Sequence, residues 1–164
     1  MTNARITGWG MYAPSRIMTN DELATIVDTN DDWIRSRTGI RERRIAADDE
    51  TALTLSVHAS RDALAVAGLH PKDLDLVIVA TCTPDYPLPA TAVLVATELG
   101  ATRASGFDLQ AACSGFLYAM ATANGFIAGG MARNVLVIGV EVLSRFLDWT
   151  DRSTCVLFGD GAGA

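Results

Sequence analysis

Two apolar runs, Asp75-Leu-Val-Ile-Val-Ala-Thr81 and Asn134-Val-Leu-Val-Ile-Gly-Val140, constrain the fold more than any other feature. A strand with one wet face alternates apolar and polar residues, and neither run does. Each therefore reads as a strand buried on both faces, which requires cover on both sides of its sheet. Segments suited to that cover surround them. Thr51 opens a helix with Leu53, Val57, Leu64 and Ala67 among its apolar positions, and Gly68 closes it. Thr91 to Leu99 is a short helix stopped by Gly100, and 113–128 is a nearly uncharged helix ended by Gly129-Gly130. Residues 4–12 (ARITGWGMY) and 105–110 (SGFDLQ) read as further strands. Thr19-Asn20-Asp21-Glu22 is a helix start, with acids in the first turn. Asp28 to Arg44 is assigned to short-helix and loop material.

This alternation predicts an α/β layered fold, with a mostly parallel sheet covered by helices on both faces. No repeat or linker divides residues 1–164, so they read as one domain. Phe158 to Ala164 is a turn-like, small-residue segment expected to feed another strand. On that reading the chain stops before its last strand.

Charge and cysteine usage remove several classes. The net charge is −6, and an acidic chain is a poor binder of nucleic acid, which demands a clustered cationic surface. Arg35, Arg37, Arg41, Arg43 and Arg44 are a local exception and read as an anion site. Cys82, Cys113 and Cys155 are far apart and odd in number, without a C-x-x-C pair, so neither a disulfide scaffold nor a metal site finds support. A reduced, cytoplasmic setting fits such a set. The segment MTNARITGWG has no apolar signal core, and no apolar run approaches the length of a membrane span.

Of the three thiols, Cys113 stands at a junction between a predicted strand and a predicted helix. Open α/β folds place ligands at that edge of a parallel sheet. The positive end of a helix dipole also favours a thiolate. The helix that follows is rich in small residues (Ser114, Gly115, Ala119, Ala121, Ala123, Ala128) and apolar all round, which predicts burial on every side. Cys82 and Cys155 read as core residues.

Three blocks add a resemblance. Ala111-Ala112-Cys113-Ser114-Gly115-Phe116, Asp28 through Arg43, and Asp148-Trp149-Thr150-Asp151-Arg152 followed by Phe158-Gly-Asp-Gly-Ala-Gly163 resemble segments of the β-ketoacyl-[acyl-carrier-protein] synthase III family, in family order. The resemblance implies the first βαβαβαββ half of a thiolase-like fold. It implies an acyltransferase that starts fatty-acid synthesis: acetyl-CoA, or another acyl-CoA, acylates Cys113. The acyl group then condenses with malonyl-[acyl-carrier-protein], releasing carbon dioxide. Coenzyme A enters as a thioester substrate, and no separate cofactor is implied. Carried over residue by residue, Thr29, Trp33, Arg37 and Arg152 become coenzyme A contacts. Leu88 becomes a pocket residue reaching across a homodimer, and Leu143 and Phe158 further pocket candidates.

The family also uses a histidine and an asparagine from its second half. This chain has only His58, within the long predicted helix, and His70, in a turn before Pro71. Both read as structural or solvated, so the 164 residues alone are expected not to catalyse condensation. The alternatives are a polyketide or specialised-lipid condensing enzyme with another starter, and a non-catalytic coenzyme A-binding half-domain.

Overall fold

The computed structural model describes residues 3–164. Met1 and Thr2, which open the segment read as lacking a signal core, lie outside them. In chain order the elements are β1 (Met11–Tyr12), β2 (Arg16–Thr19), α1 (Asn20–Leu23), α2 (Asp31–Thr38), β3 (Glu42–Ile45), α3 (Ala52–Ala67), β4 (Leu76–Ala80), α4 (Thr91–Leu99), β5 (Ser105–Leu109), α5 (Gly115–Ala128), β6 (Val135–Val142), α6 (Arg152–Cys155) and β7 (Asp160–Gly163).

Both apolar runs become neighbouring strands of a five-stranded sheet in the order β1-β7-β6-β4-β5. All five residues of β4 are buried. Val77 and Val79 pack with Leu55, Ala59 and Leu64 of α3 and with Ala92 and Val95 of α4. Leu76, Ile78 and Ala80 pack on the opposite face with Ala119 and Ala123 of α5. Cover on both faces is why the run does not alternate, and each buried aliphatic side chain contributes roughly 1.5–3 kcal/mol before entropic costs. The α/β class and two-sided helical cover hold. The sheet is mixed but mostly parallel: β4 runs parallel to β5 and β6, and β7, antiparallel to both β6 and β1, is the one strand that runs against the other four.

The predicted helix ends are seen. Thr51 forms a capping box with Thr54 at the start of α3, and Gly68 closes it at φ +66°. Asp85, in the loop after β4, also accepts from the N–H groups of Ala52 and Leu53 at 2.9 and 2.8 Å. Thr19 caps α1 by accepting from the Glu22 N–H.

Three sequence expectations are corrected. The strand expected over 4–12 shrinks to Met11–Tyr12, with Gly10 and Ala164 exchanging hydrogen bonds beyond it. Gly8 and Gly10 press against α3 so closely that a Cβ would collide with the carbonyls of Ala63 and Ala59. The small-residue segment expected as a turn is itself a strand, β7, in which Gly161 and Gly163 face Glu141 and Gly139 of β6. Two short strands, β2 and β3, pair antiparallel where loop and helix were expected. Arg152–Cys155 form the one-turn α6.

The small sheet, with α1, α2 and α6, closes on a second core of Met18, Leu23, Ile34, Ile45, Cys155 and Val156. Among the described residues, no helix is long and apolar enough to cross a membrane.

Candidate active site

β5 ends at Leu109, and the chain then turns sharply before α5 begins. Ala111 adopts φ −147°, ψ 33°, and Ala112 lies in the left-handed region at φ +46°. That region costs a residue with a Cβ about 1–2 kcal/mol, and such strain persists where surrounding structure holds it. Ala112–Ser114 form a 3-10 turn that leads into α5, and no side chain caps either element. Cys113, in the middle of this turn, is exposed. Gly115 lets α5 start against β4, since a Cβ there would lie 3.3 Å from that of Ala80.

Cys113 faces a hollow of about 540 Å³, lined also by Phe116, Glu141, Phe158, Asp160 and the β3 residues Arg43 and Arg44. Such a volume suits a small organic group. Asp160 ties the walls together: it accepts from the N–H of Ala46 at 2.7 Å, the N–H of Ser144 at 2.9 Å and the Ser144 hydroxyl at 2.5 Å. Glu141 accepts from the Cys82 N–H at 2.8 Å and the Thr83 hydroxyl at 2.6 Å. Glu141 was not singled out from sequence; a lone acid inside the run 135–142 was the available signal.

The residues expected to meet coenzyme A do converge. The guanidinium carbons of Arg37 and Arg152 lie 4.5 and 4.7 Å from the centre of the Trp33 ring. Arg152 also donates to the Asp28 carbonyl at 3.0 Å, beside Thr29. Thr29 Oγ1 is shielded from solvent and has no hydrogen-bond partner among the described residues. Trp33 rests on the second core as well, so it anchors packing and presents a ring. Both elements run into the hollow: α2 passes through Gly39 to its wall at Ile40, and α6 passes through Val156 to Leu157 and Phe158.

Other expectations fail here. The five arginines do not form one anion site. Arg43 is 5% exposed, and donates to the Met18 carbonyl at 3.2 Å and to Asn20 at 2.6 Å. Burial lowers its pKa. Arg35 pairs with Asp31 at 3.1 Å, and Arg44 donates to the Pro14 carbonyl. Arg35 and Arg41 share only a shallow hollow with Asp32. The expectation that α5 is enclosed on every side also fails: it buries Gly115, Ala119 and Ala123, while Leu117 and Tyr118 are 72% and 59% exposed. Phe158 lines the hollow and Leu143 does not, while Leu88, expected to reach across a homodimer, is 85% exposed on the single chain. His58 stacks on Tyr12, and His70 caps a 3-10 turn; neither lines the hollow. Among the described residues, no group of three or more His, Cys, Asp and Glu side chains is placed to hold a metal ion.

Comparison with known proteins finds relatives by sequence and by fold over the length of this chain. The family model described as 3-Oxoacyl-[acyl-carrier-protein (ACP)] synthase III matches residues 107–164, which hold the Cys113 turn, α5, β6 and β7. A β-ketoacyl-[acyl-carrier-protein] synthase III of Brucella suis is 57% identical over 100% of this chain and 51% of its own length. The crystal structure of 3-oxoacyl-[acyl-carrier-protein] synthase III from Aquifex aeolicus is similar at TM-score 0.94 and 54% identity, over 96% of this chain and 51% of that one. The priming β-ketosynthase of the R1128 polyketide pathway superposes at TM-score 0.95 with 47% identity, over 97% of this chain and 48% of that one. The chain thus spans about half the length of the curated relatives it matches. By sequence and by fold, it belongs to the β-ketoacyl-[acyl-carrier-protein] synthase III family.

Proposed function

We propose that this chain supplies the acyl-accepting half of a decarboxylative condensing enzyme. An acyl-CoA starter transfers its acyl group to Cys113, and the acyl-cysteine then condenses with malonyl-[acyl-carrier-protein]. The observation that carries this reading is an exposed thiol on a strained, uncapped strand-to-helix turn, in a hollow whose walls continue into the Trp33 and Arg152 pair. A cysteine exchanges readily with a thioester, because the two thioesters are close in energy. Uncapped N–H groups at the start of α5 are suited to developing negative charge on the thioester oxygen. Trp33, Arg37 and Arg152 offer a ring face and guanidinium forks for an adenine and its phosphates. Among the described residues the Thr29 hydroxyl has no hydrogen-bond partner, which suits a ligand contact.

The full reaction draws on a histidine and an asparagine that this chain does not place at Cys113, so the chain takes up acyl groups without forming a condensation product. Leu88 reaches a partner subunit of a homodimer, and the setting is cytoplasmic, where thiols stay reduced. The test is intact mass after incubation with acetyl-CoA, followed by peptide mapping. One acetyl group on Cys113, lost with hydroxylamine and missing in C113S, is expected. Acetylation elsewhere, or none, overturns the reading.

The likeness to the R1128 priming ketosynthase favours a second reading, a specialised-lipid enzyme with another starter. Acyl-CoAs of increasing length and branching separate the two. The second reading requires faster labelling by a longer or branched chain than by acetyl-CoA.

A further inference from the structure

Cys82 was expected to be a core residue, but it sits beside the nucleophile turn. β4 and β5 are parallel neighbours in the register Ala80↔Leu109, and the Thr81 N–H still donates to the Leu109 carbonyl at 3.2 Å. Adjacent strands lie about 4.8 Å apart, so Cys82 leaves β4 alongside the segment that climbs from Leu109 to Cys113. Its N–H is held by Glu141, whose side chain lines the hollow of Cys113. One thiol therefore lies at the end of the strand next to the turn that carries the other. Cys155 is buried in the second core.

We propose that Cys82 is the resolving thiol of Cys113, and that a peroxide converts the two into a disulfide across the edge of β4 and β5. The Cys113 thiolate attacks the peroxide, the O–O bond breaks, and Cys113 becomes a sulfenic acid as hydroxide leaves. Cys82 then passes its proton to Glu141 and attacks that sulfur. The S–S bond forms, the S–O bond breaks, and water departs. Two thiols lose two electrons, one hydrogen peroxide becomes two waters, and an added dithiol reverses the bond. The roles are matched to the environments. Burial, and then the Glu141 carboxylate, push the Cys82 thiol up, so it stays protonated while the exposed Cys113 meets the oxidant. The bond would protect Cys113 from irreversible oxidation to sulfinic and sulfonic acids. This inference rests on the position of Cys113, and it stands whether or not Cys113 accepts an acyl group.

The experiment is treatment of the 164-residue chain with a small excess of hydrogen peroxide, alkylation of remaining thiols, and non-reducing peptide mapping. A linked Cys82–Cys113 peptide within one chain is expected, lost with dithiothreitol and retained in C155S. C82S is expected to accumulate several-fold more sulfinic and sulfonic Cys113 than wild type at the same dose. Equal over-oxidation in wild type and C82S, or Cys113 linked only to Cys155 or to a second chain, overturns the proposal. Mapping of the wild-type chain decides the matter if C82S does not fold.

Discussion

The Arg152 guanidinium lies 4.7 Å from the centre of the Trp33 ring, joining α6 to α2 across the rim of the second core. Arg37 approaches the same ring to 4.5 Å, from its own helix. These two cations share one indole beside the Thr29 hydroxyl, which has no hydrogen-bond partner among the described residues, and on the proposed function they meet the adenine end of coenzyme A. R152A is expected to weaken coenzyme A binding roughly tenfold, about 1.4 kcal/mol. Because Arg152 is exposed, its melting temperature should match wild type. Calorimetric titration with coenzyme A checks the first, and a thermal scan the second.

Thiol reactivity should follow exposure. Cys113 is exposed, Cys82 half-buried and Cys155 fully buried. Burial pushes the Cys155 thiol up, with Asp151 adding to it, and pushes the Cys82 thiol up as well. In the native chain at neutral pH, iodoacetamide should label Cys113 first, then Cys82, and Cys155 last. In concentrated urea the three rates should converge. Time-resolved peptide mapping reads the order.

The turn before Cys113 depends on a left-handed Ala112. A112V, with a branched Cβ, is expected to cost roughly 1–3 kcal/mol. A112G enters that region freely and should leave stability near wild type. Urea midpoints at constant slope measure both.

Asp75 accepts from the N–H groups of Arg133 and Asn134 at 2.8 and 3.1 Å, fastening the start of β4 to that of β6. The Arg133 N–H, followed by that of Asn134, holds its carboxyl below the usual range. A depressed folded pKa contributes stability above the unfolded value of about 3.9, and that share is lost as pH falls through the folded value. D75N should lower stability at neutral pH by about 1 kcal/mol. It should also flatten the decline below about pH 4, seen by denaturation across pH.

The exposed apolar face of α5 should make the isolated chain associate. Leu117 is 72% exposed and Tyr118 59%. Sedimentation at rising concentration should show self-association, weakened in L117S. A monomer at every concentration would contradict this.

Much was legible because it is local. The strands at Leu76–Ala80 and Val135–Val142, the caps at Thr51 and Gly68, and the placing of Cys113 before a helix all follow from patterns within a few residues. β2 and β3 escaped because strands of four residues, exposed in part, carry too little alternation to be read. β7 escaped because glycine and alanine have weak strand preference, and its pairing with β6 and β1 is what makes it a strand.

By itself the sequence determined the α/β class, the two central strands and the nucleophile candidate, since hydrophobic period and capping chemistry act at short range. Tertiary structure alone decided that the sheet is mixed, that Arg43 enters the core while Arg152 meets Trp33, and that Cys82 and Glu141 stand beside Cys113. Those relations depend on which distant segments share buried surface and ladder hydrogen bonds, a choice made only when the whole chain packs.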